Sequence, residues 1–196
     1  MSVIRAFIAI ELSAEIQAGL QNTAKTLQAR TGALPVRWVP AKNIHLTLVF
    51  LGDVITTNLD ALKDMLKSEV AGQPSFEIEV GYLGAFPSFR KPRVVWIGVS
   101  APPDLSSLQR KISLASARLG YPGEDRPFTA HLTLGRVSKN ASPEQVHRIG
   151  EILEAEKVEI LGSMLVGSVN LYRSDLQPGG AVYTRLLSVA LKADSQ

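Results

Sequence analysis

Two histidines of this chain stand in the same four-residue setting. His45 begins the sequence His-Leu-Thr-Leu, and His131 begins a second copy of it. The copies are 86 positions apart in a chain of 196 residues, which is close to half its length. By composition, a given histidine would be followed by Leu-Thr-Leu with a probability on the order of one in a thousand. The repeat therefore indicates an internal duplication or a shared chemistry.

A histidine followed two residues later by a threonine can present both side chains to one substrate. Side chains alternate along a strand, so His45 shares a face with Thr47, and His131 shares a face with Thr133. If both strands line one groove, these groups converge on one small anion. A neutral imidazole can take a proton from water, a charged one can donate to the departing oxygen, and the hydroxyls can bind phosphoryl oxygens. Such a site needs neither a metal nor a covalent nucleophile.

A structural role is the competing explanation for each motif. Seen alone, one His-Leu-Thr-Leu strand is more often a strand with a hydrogen-bonded histidine than part of an active site. The repeat at half-chain spacing reverses that preference. The third histidine, His147, has no threonine two residues later and no repeat, so we expect it at the surface or in a helix contact.

Arg136 follows the second motif and could add a bidentate contact to a phosphate. Regular alternation along a strand places this arginine on the face opposite to His131 and Thr133. A bend at Gly135 would have to turn its side chain back to their face.

The composition gives no sign of a cofactor. The chain has no cysteine, which excludes a disulfide, a thiolate zinc site and a cysteine nucleophile. His-x-Thr lacks the spacing of known zinc ligand pairs, and no phosphate-binding glycine loop is present. We therefore expect no metal and no cofactor. The net charge of +3 agrees weakly with an anionic substrate.

The overall balance is that of an ordinary globular protein. Hydrophobic residues make up 45% of the chain and charged residues 20%, which predicts one compact domain over residues 1–196. The initial apolar run is too short to span a bilayer, and Glu11 follows it rather than a small-residue cleavage site. We interpret it as a first strand, and we expect a cytoplasmic protein with no membrane contact.

The apolar periodicity predicts strands and helices in the same order in both halves. The first half has a strand over 5–12, a helix capped by Ser13 that ends between Gly32 and Pro35, strands over 36–39 and 44–51 with a break at Gly52 and Asp53, and a helix over 59–70. The second half has strands over 76–82 and 93–99, a helix over 103–119, a strand over 128–136, a helix with a capping box at Ser142 and Gln145, and strands near 158–173 and 181–191 joined by a turn at 177–180. This order predicts an α+β fold with two similar lobes.

Several segments give the chain a resemblance to the two-histidine phosphoesterases, and within them to the RNA 2',3'-cyclic phosphodiesterases, once named 2'-5' RNA ligases. They cover nearly the whole chain: Arg5-Ala-Phe-Ile-Ala-Ile-Glu-Leu, Arg37-Trp-Val-Pro, Asn43-Ile-His-Leu-Thr-Leu-Val-Phe-Leu-Gly, Arg93-Val-Val-Trp, Phe128-Thr-Ala-His-Leu-Thr-Leu-Gly-Arg, Leu171-Tyr-Arg-Ser and Gly180-Ala-Val-Tyr. The resemblance implies a bilobal fold of mainly antiparallel sheet, with helices outside and an active-site groove between the lobes. It also implies a monomer that hydrolyses the 2',3'-cyclic phosphate end of RNA to a 2'-phosphomonoester.

The resemblance also implies roles for the repeated residues. His45 would be the proton donor to the 3' oxygen, and His131 would be the proton acceptor that activates water. Thr47 and Thr133 would hold the phosphoryl group. Because the site is pseudo-symmetric, the two histidines could exchange roles.

Three further residues follow from the same resemblance. Arg136 matches the arginine that the family carries after its second motif. Phe7 and Tyr172 are candidates for contacts to a base, although an aromatic residue buried in a strand is the commoner explanation for each.

Two other functions are compatible with these residues. One is a cyclic phosphodiesterase for small nucleotides, such as a cyclic phosphate of ADP-ribose. The other is an RNA-end binder that does not catalyse a reaction, although such a binder has no need of two titrating groups. The same site could in addition join a 5'-hydroxyl to a cyclic phosphate and form a 2'-5' linkage, but water at bulk concentration favours hydrolysis.

Overall fold

Nine strands and four α-helices make up the part of the chain that this computed structural model describes, residues 2–123, 126–178 and 180–193. The strands are β1 (Val3–Ile10), β2 (Val36–Trp38), β3 (Leu46–Ile55), β4 (Phe76–Phe86), β5 (Val94–Ser100), β6 (His131–Val137), β7 (Gly162–Val166), β8 (Ser168–Gln177) and β9 (Gly180–Ala190). The helices are α1 (Ala14–Thr31), α2 (Leu59–Val70), α3 (Pro103–Arg118) and α4 (Pro143–Glu154). A 3-10 turn over Ala41–Asn43 leads into His45.

The strands form two antiparallel sheets, and each sheet carries one of the two histidine motifs. The first sheet has the order β3-β1-β8-β9, and the second has the order β2-β6-β5-β4-β7. His45 directly precedes β3, and His131 is the first residue of β6. The predicted α+β fold with two lobes of antiparallel sheet is confirmed.

The two halves of the chain exchange strands, so neither lobe is one half. β2 lies in the first half, yet it pairs with β6 in the sheet that contains His131. β8 lies in the second half, yet it pairs with β1 in the sheet that contains β3, the strand directly after His45. The sequence order alone could not reveal this exchange, because strand pairing is set by tertiary packing. It ties the lobes into a single unit.

The helices begin where the capping residues predict. The Ser13 hydroxyl accepts a hydrogen bond from the Ile16 amide, and Ser142 forms the predicted capping box with Gln145. Their apolar faces join a continuous core with the inner residues of both sheets. No helix in the described ranges is both long and apolar enough to cross a membrane.

Several predicted strand boundaries are wrong, and β4 in particular continues to Phe86 rather than ending at residue 82. β3 does not break at Gly52 and Asp53, because Gly52 adopts a left-handed φ of 69° beside a register shift and the strand continues to Ile55. The region 158–173 contains two strands, β7 and β8, with Gly167 between them. The strand predicted over 128–136 begins only at His131. Of the predicted turn at 177–180, Gly179 lies outside the described residues.

The sheet under the second motif allows no side chain at Gly84. A Cβ atom at Gly84 would overlap the indole ring of Trp96, which packs against Phe86 at a centroid distance of 5.0 Å. We expect Gly84→Ala to lower the free energy of unfolding by about 1–3 kcal/mol, as overpacking of a core does. Urea denaturation would measure the loss. Gly167→Ala is the matched control, because a Cβ atom there has no neighbour within 4 Å. Equal stabilities of the two variants would contradict the packing described for Trp96.

Candidate active site

The two motif strands have the same irregularity in their pairing. In each strand it lies directly after the threonine of the His-x-Thr motif. In β3, Thr47 pairs with Ala9 and Val49 with Ile8, so one residue between them is left without a partner. In β6, Thr133 pairs with Trp96 and Gly135 with Val95, again with one residue left over. Each strand therefore has a β-bulge directly after its threonine, at Leu48 and at Leu134.

The bulge brings the fifth residue after each histidine to the face of the groove. Over the six residues that follow the histidine, burial has the same order in both strands: buried, intermediate, buried, buried, exposed, buried. The exposed position is Phe50 in β3 and Arg136 in β6. Arg136 therefore shares a face with His131 and Thr133. The bend that the sequence required at Gly135 is present, and it begins one residue earlier.

Each motif histidine is held by the same backbone hydrogen bond. His45 Nδ1 lies 2.9 Å from the carbonyl oxygen of Asn43, and His131 Nδ1 lies 2.7 Å from that of Thr129. A carbonyl oxygen only accepts, so Nδ1 carries the hydrogen in both rings. In a neutral ring Nε2 is then the free acceptor, and in a charged ring it is a second donor. Both rings are thus prepared to exchange a proton through Nε2.

Aromatic rings enclose His45. Its imidazole stacks on Phe7 at a centroid distance of 4.5 Å, and the Tyr183 ring meets it edge-on at 5.2 Å. Burial lowers the pKa of His45 from 6.5 to about 4, although the hydrogen bond to the Asn43 carbonyl acts in the opposite direction. His45 is therefore neutral at pH 7 when no ligand is bound.

The ring of His131 is more open to solvent. Two aromatic rings meet its imidazole at steep angles, Phe86 at 5.0 Å and Trp96 at 6.3 Å between centroids. Its hydrogen bond to the Thr129 carbonyl lies in an exposed setting, whereas the equivalent bond of His45 is partly buried. The two histidines share a hydrogen-bonding geometry and differ in their exposure to water.

A short segment links the two motifs in space. β2 pairs with the end of β6, and the Val39 amide donates to the Leu134 carbonyl at 2.7 Å. Six residues after Val39 the chain reaches His45. Cα atoms of β3 and β6 also approach within 8 Å of one another. The two motif strands therefore lie close together, although they belong to different sheets.

The aromatic residues predicted to contact a base lie beside His45. Phe7 is only 4% exposed and stacks on His45 and Tyr172, which leaves little of its ring for a ligand. Tyr172 is half-buried and lines a cavity of about 280 Å³ together with His45 and Asn43. The position of Tyr172 is thus compatible with a ligand contact, whereas Phe7 supports the imidazole.

Three aromatic residues of the site were not among the predicted site residues. Tyr183 contacts His45, and Phe86 and Trp96 contact His131. Tyr183 and Trp96 belong to segments predicted as strands, whereas Phe86 lies beyond the strand predicted over 76–82 and is the last residue of β4. No local pattern shows which strand will lie beside which motif. Burial raises the pKa of Tyr183, while the positive charges of Arg136, Arg37 and Arg5 oppose that shift.

Two further findings concern residues outside the pair. His147 is exposed on α4 and lies 3.3 Å from the Glu151 carboxylate, so its predicted surface position is confirmed. Within residues 2–123, 126–178 and 180–193, no three histidine, aspartate or glutamate side chains are grouped so that they could hold a metal ion.

Comparison with known families agrees with the duplication. A family model described as LigT-like phosphoesterase matches the chain twice, over residues 10–96 and 97–183, and each match contains one motif. The chain belongs to the LigT-like phosphoesterase family. The prediction of a two-histidine phosphoesterase is thereby confirmed, and so is the prediction that the chain is an enzyme.

Individual members of the LigT-like family match over most of their length. The RNA 2',3'-cyclic phosphodiesterase of Methanothermobacter thermautotrophicus is 36% identical over 92% of this chain and 95% of its own. That of Archaeoglobus fulgidus is 36% identical over 93% and 98%. The crystal structure of E. coli LigT complexed with 3'-AMP superposes with a TM-score of 0.76 at 31% identity, covering 97% of this chain and 99% of LigT.

The lowered pKa of His45 predicts a loss of stability in acid. Unfolded chains take up a proton near pH 6.5, whereas the folded protein does so only near pH 4. Stability is therefore fully present above pH 6.5 and is lost as the pH falls towards 4. Between about pH 7.5 and 4.5 the native chain should lose about 2–3 kcal/mol more free energy of unfolding than His45→Gln does.

Urea denaturation at the two pH values measures this difference. His147→Gln is the control, because that histidine is exposed and should leave the acid loss unchanged. Parallel losses in the native chain and in His45→Gln would contradict the burial of the neutral ring.

Proposed function

We propose that this LigT-like phosphoesterase hydrolyses 2',3'-cyclic phosphate ends of RNA to 2'-phosphomonoesters by metal-independent acid–base catalysis between His45 and His131. The observation that carries the proposal is the matched pair of imidazoles. Each has its Nδ1 hydrogen bonded to a carbonyl oxygen two residues earlier, and each lies at the start of one of two neighbouring strands with the same bulge. The names of the relatives from M. thermautotrophicus and A. fulgidus support the reaction and its RNA substrate.

The proposed reaction replaces one phosphorus–oxygen bond by another. Nε2 of His131 takes a proton from water as the water oxygen bonds to phosphorus. The bond from phosphorus to the 3' oxygen breaks, and Nε2 of His45 donates a proton to that oxygen. The 2' oxygen keeps the phosphate. Thr47 and Thr133 share the faces of their histidines, and their hydroxyls donate hydrogen bonds to the phosphoryl oxygens as negative charge develops there.

His45 must gain a proton before it can act as the donor. Its pKa of about 4 makes it neutral in the unliganded protein at pH 7. A phosphate bound beside Nε2 brings a negative charge into an enclosed, aromatic-lined place, where it favours the charged imidazole. We therefore propose that the substrate itself charges the proton donor.

The remaining groups bind substrate in this proposal. Arg136, turned to the groove by its bulge, contacts the phosphoryl group as a bidentate donor. Tyr172 contacts the terminal nucleoside from the cavity beside His45. One chain supplies both motifs, so a monomer contains the complete site. A 5'-hydroxyl that replaced water would give a 2'-5' linkage as a minor product.

Hydrolysis of a short oligonucleotide ending in a 2',3'-cyclic phosphate, in the presence of EDTA, tests the reaction. We expect a 2'-phosphate product from the native enzyme, and losses of at least about 10²-fold in kcat/KM for His45→Ala and for His131→Ala. Thr47→Ala and Thr133→Ala should each lose about 10²–10³-fold, the usual value of one transition-state hydrogen bond.

His147→Ala is the matched control and should retain native activity, since its ring is exposed on α4. Near-native turnover of either motif histidine variant would defeat the assignment. Activity that disappears in EDTA and returns with a divalent metal would defeat the metal-independent mechanism.

Binding of a 2'-nucleotide product should draw a proton from solution near pH 7, because the bound phosphate charges the neutral His45 ring. Titration calorimetry in buffers of different ionisation enthalpy measures this uptake. It should disappear in His45→Asn and persist in His131→Asn. The reverse pattern would show that the two histidines have exchanged the roles of acid and base.

A further inference from the structure

Three exposed arginines on different strands influence the pKa of one tyrosine, Tyr183, which contacts His45. Arg37 belongs to β2, Arg136 to β6 and Arg5 to β1. The charges of all three oppose the rise in pKa that burial imposes on the Tyr183 hydroxyl. Guanidinium groups from both sheets therefore lie within electrostatic reach of a ring that also touches His45.

Arg37 and Arg136 are direct partners across β2 and β6. Directly opposed residues of an antiparallel pair project to the same face, so both side chains share the face of Thr133. Like charges placed in this way destabilise a sheet. Among the residues that the structure describes, no carboxylate forms an ion pair with either arginine. The arrangement is unfavourable for folding and suited to an anionic ligand.

Arg5 approaches the same place from the other sheet. It lies two residues before Phe7 on β1, and it therefore shares the face that Phe7 presents to His45. Its partner on β3 is Asp53, but the two side chains do not form an ion pair within 4 Å. The charge of Arg5 is thus available to a ligand as well.

The phosphate that undergoes hydrolysis does not account for three arginines. A cyclic phosphate carries one negative charge, and Arg136 suffices to neutralise it. Arg37 lies opposite Arg136 on β2, one strand beyond β6 on the side away from β5, so its Cα is farther from Thr133 than that of Arg136. With Arg136 on the reacting phosphate, Arg37 is left for a second phosphate farther along the substrate.

We infer that Arg37 and Arg5 bind the phosphate attached to the 5' oxygen of the terminal nucleoside, so that the enzyme reads two consecutive phosphates of an RNA strand. This inference rests on the proposed function and specifies its substrate. An oligonucleotide with a cyclic end supplies both phosphates, whereas a nucleoside 2',3'-cyclic phosphate supplies only one. The enzyme therefore prefers the oligonucleotide through these arginines.

Comparison of two substrates tests the second phosphate site. Adenosine 2',3'-cyclic phosphate has no 5' phosphate, and the dinucleotide ApA with a cyclic end has an internal phosphodiester. The native enzyme should have the higher kcat/KM for the dinucleotide. Arg37→Gln and Arg5→Gln should each lower that value about tenfold, as expected for one charge-assisted contact, and change the value for the mononucleotide less than about twofold.

Two controls separate binding from folding. Arg110→Gln removes an exposed charge from α3 and should change neither substrate's kcat/KM. The melting temperature of Arg37→Gln should not fall, because the substitution removes a like-charge pair. Equal losses for both substrates in Arg37→Gln, or equal kcat/KM of the native enzyme for both, would overturn the inference. A native enzyme that hydrolyses neither substrate would instead refute the proposed function.

Discussion

A hydrogen bond from histidine Nδ1 to the carbonyl oxygen two residues earlier determines what each motif can do. It fixes the tautomer, leaves Nε2 free to exchange a proton and orients the ring without help from a carboxylate. The carbonyl oxygens come from Asn43 and Thr129, which lie just before the motif strands and outside their ladders. Because the bond is identical in both lobes, the difference between the histidines must come from their surroundings, and the enclosure of His45 supplies it.

The fold brings the two motif strands close together by crossing its own halves. β2 of the first half pairs in the second sheet and β8 of the second half pairs in the first, so each sheet contains strands from both halves. The matching bulges at Leu48 and Leu134 then bring the fifth residue after each histidine to the face of the motif threonine. In one lobe this position is Phe50, and in the other it is Arg136, so the duplicated frame carries different side chains.

Much of this arrangement follows from the sequence, and the remainder has a physical reason for being hidden. The repeat predicted both motifs and two lobes, and the caps at Ser13 and Ser142 predicted helix starts, because these signals are local. In the sequence, the only sign of a bulge is that regular alternation places Arg136 on the face opposite to His131. The bulges themselves depend on how the partner strands pair, which a local pattern does not show. Contacts such as that of Tyr183 with His45 depend on which strands pair, and no short-range pattern contains that information.

The central claim is that His45 and His131 act as one unit on one phosphate. The most direct test is a double-mutant cycle that compares kcat/KM for the native enzyme, His45→Ala, His131→Ala and the double variant on an oligonucleotide with a cyclic-phosphate end. If the histidines cooperate in a single step, the double variant should be no more than a few-fold worse than the poorer single variant. Losses that multiply in the double variant would show that the two residues act independently, and they would contradict the account.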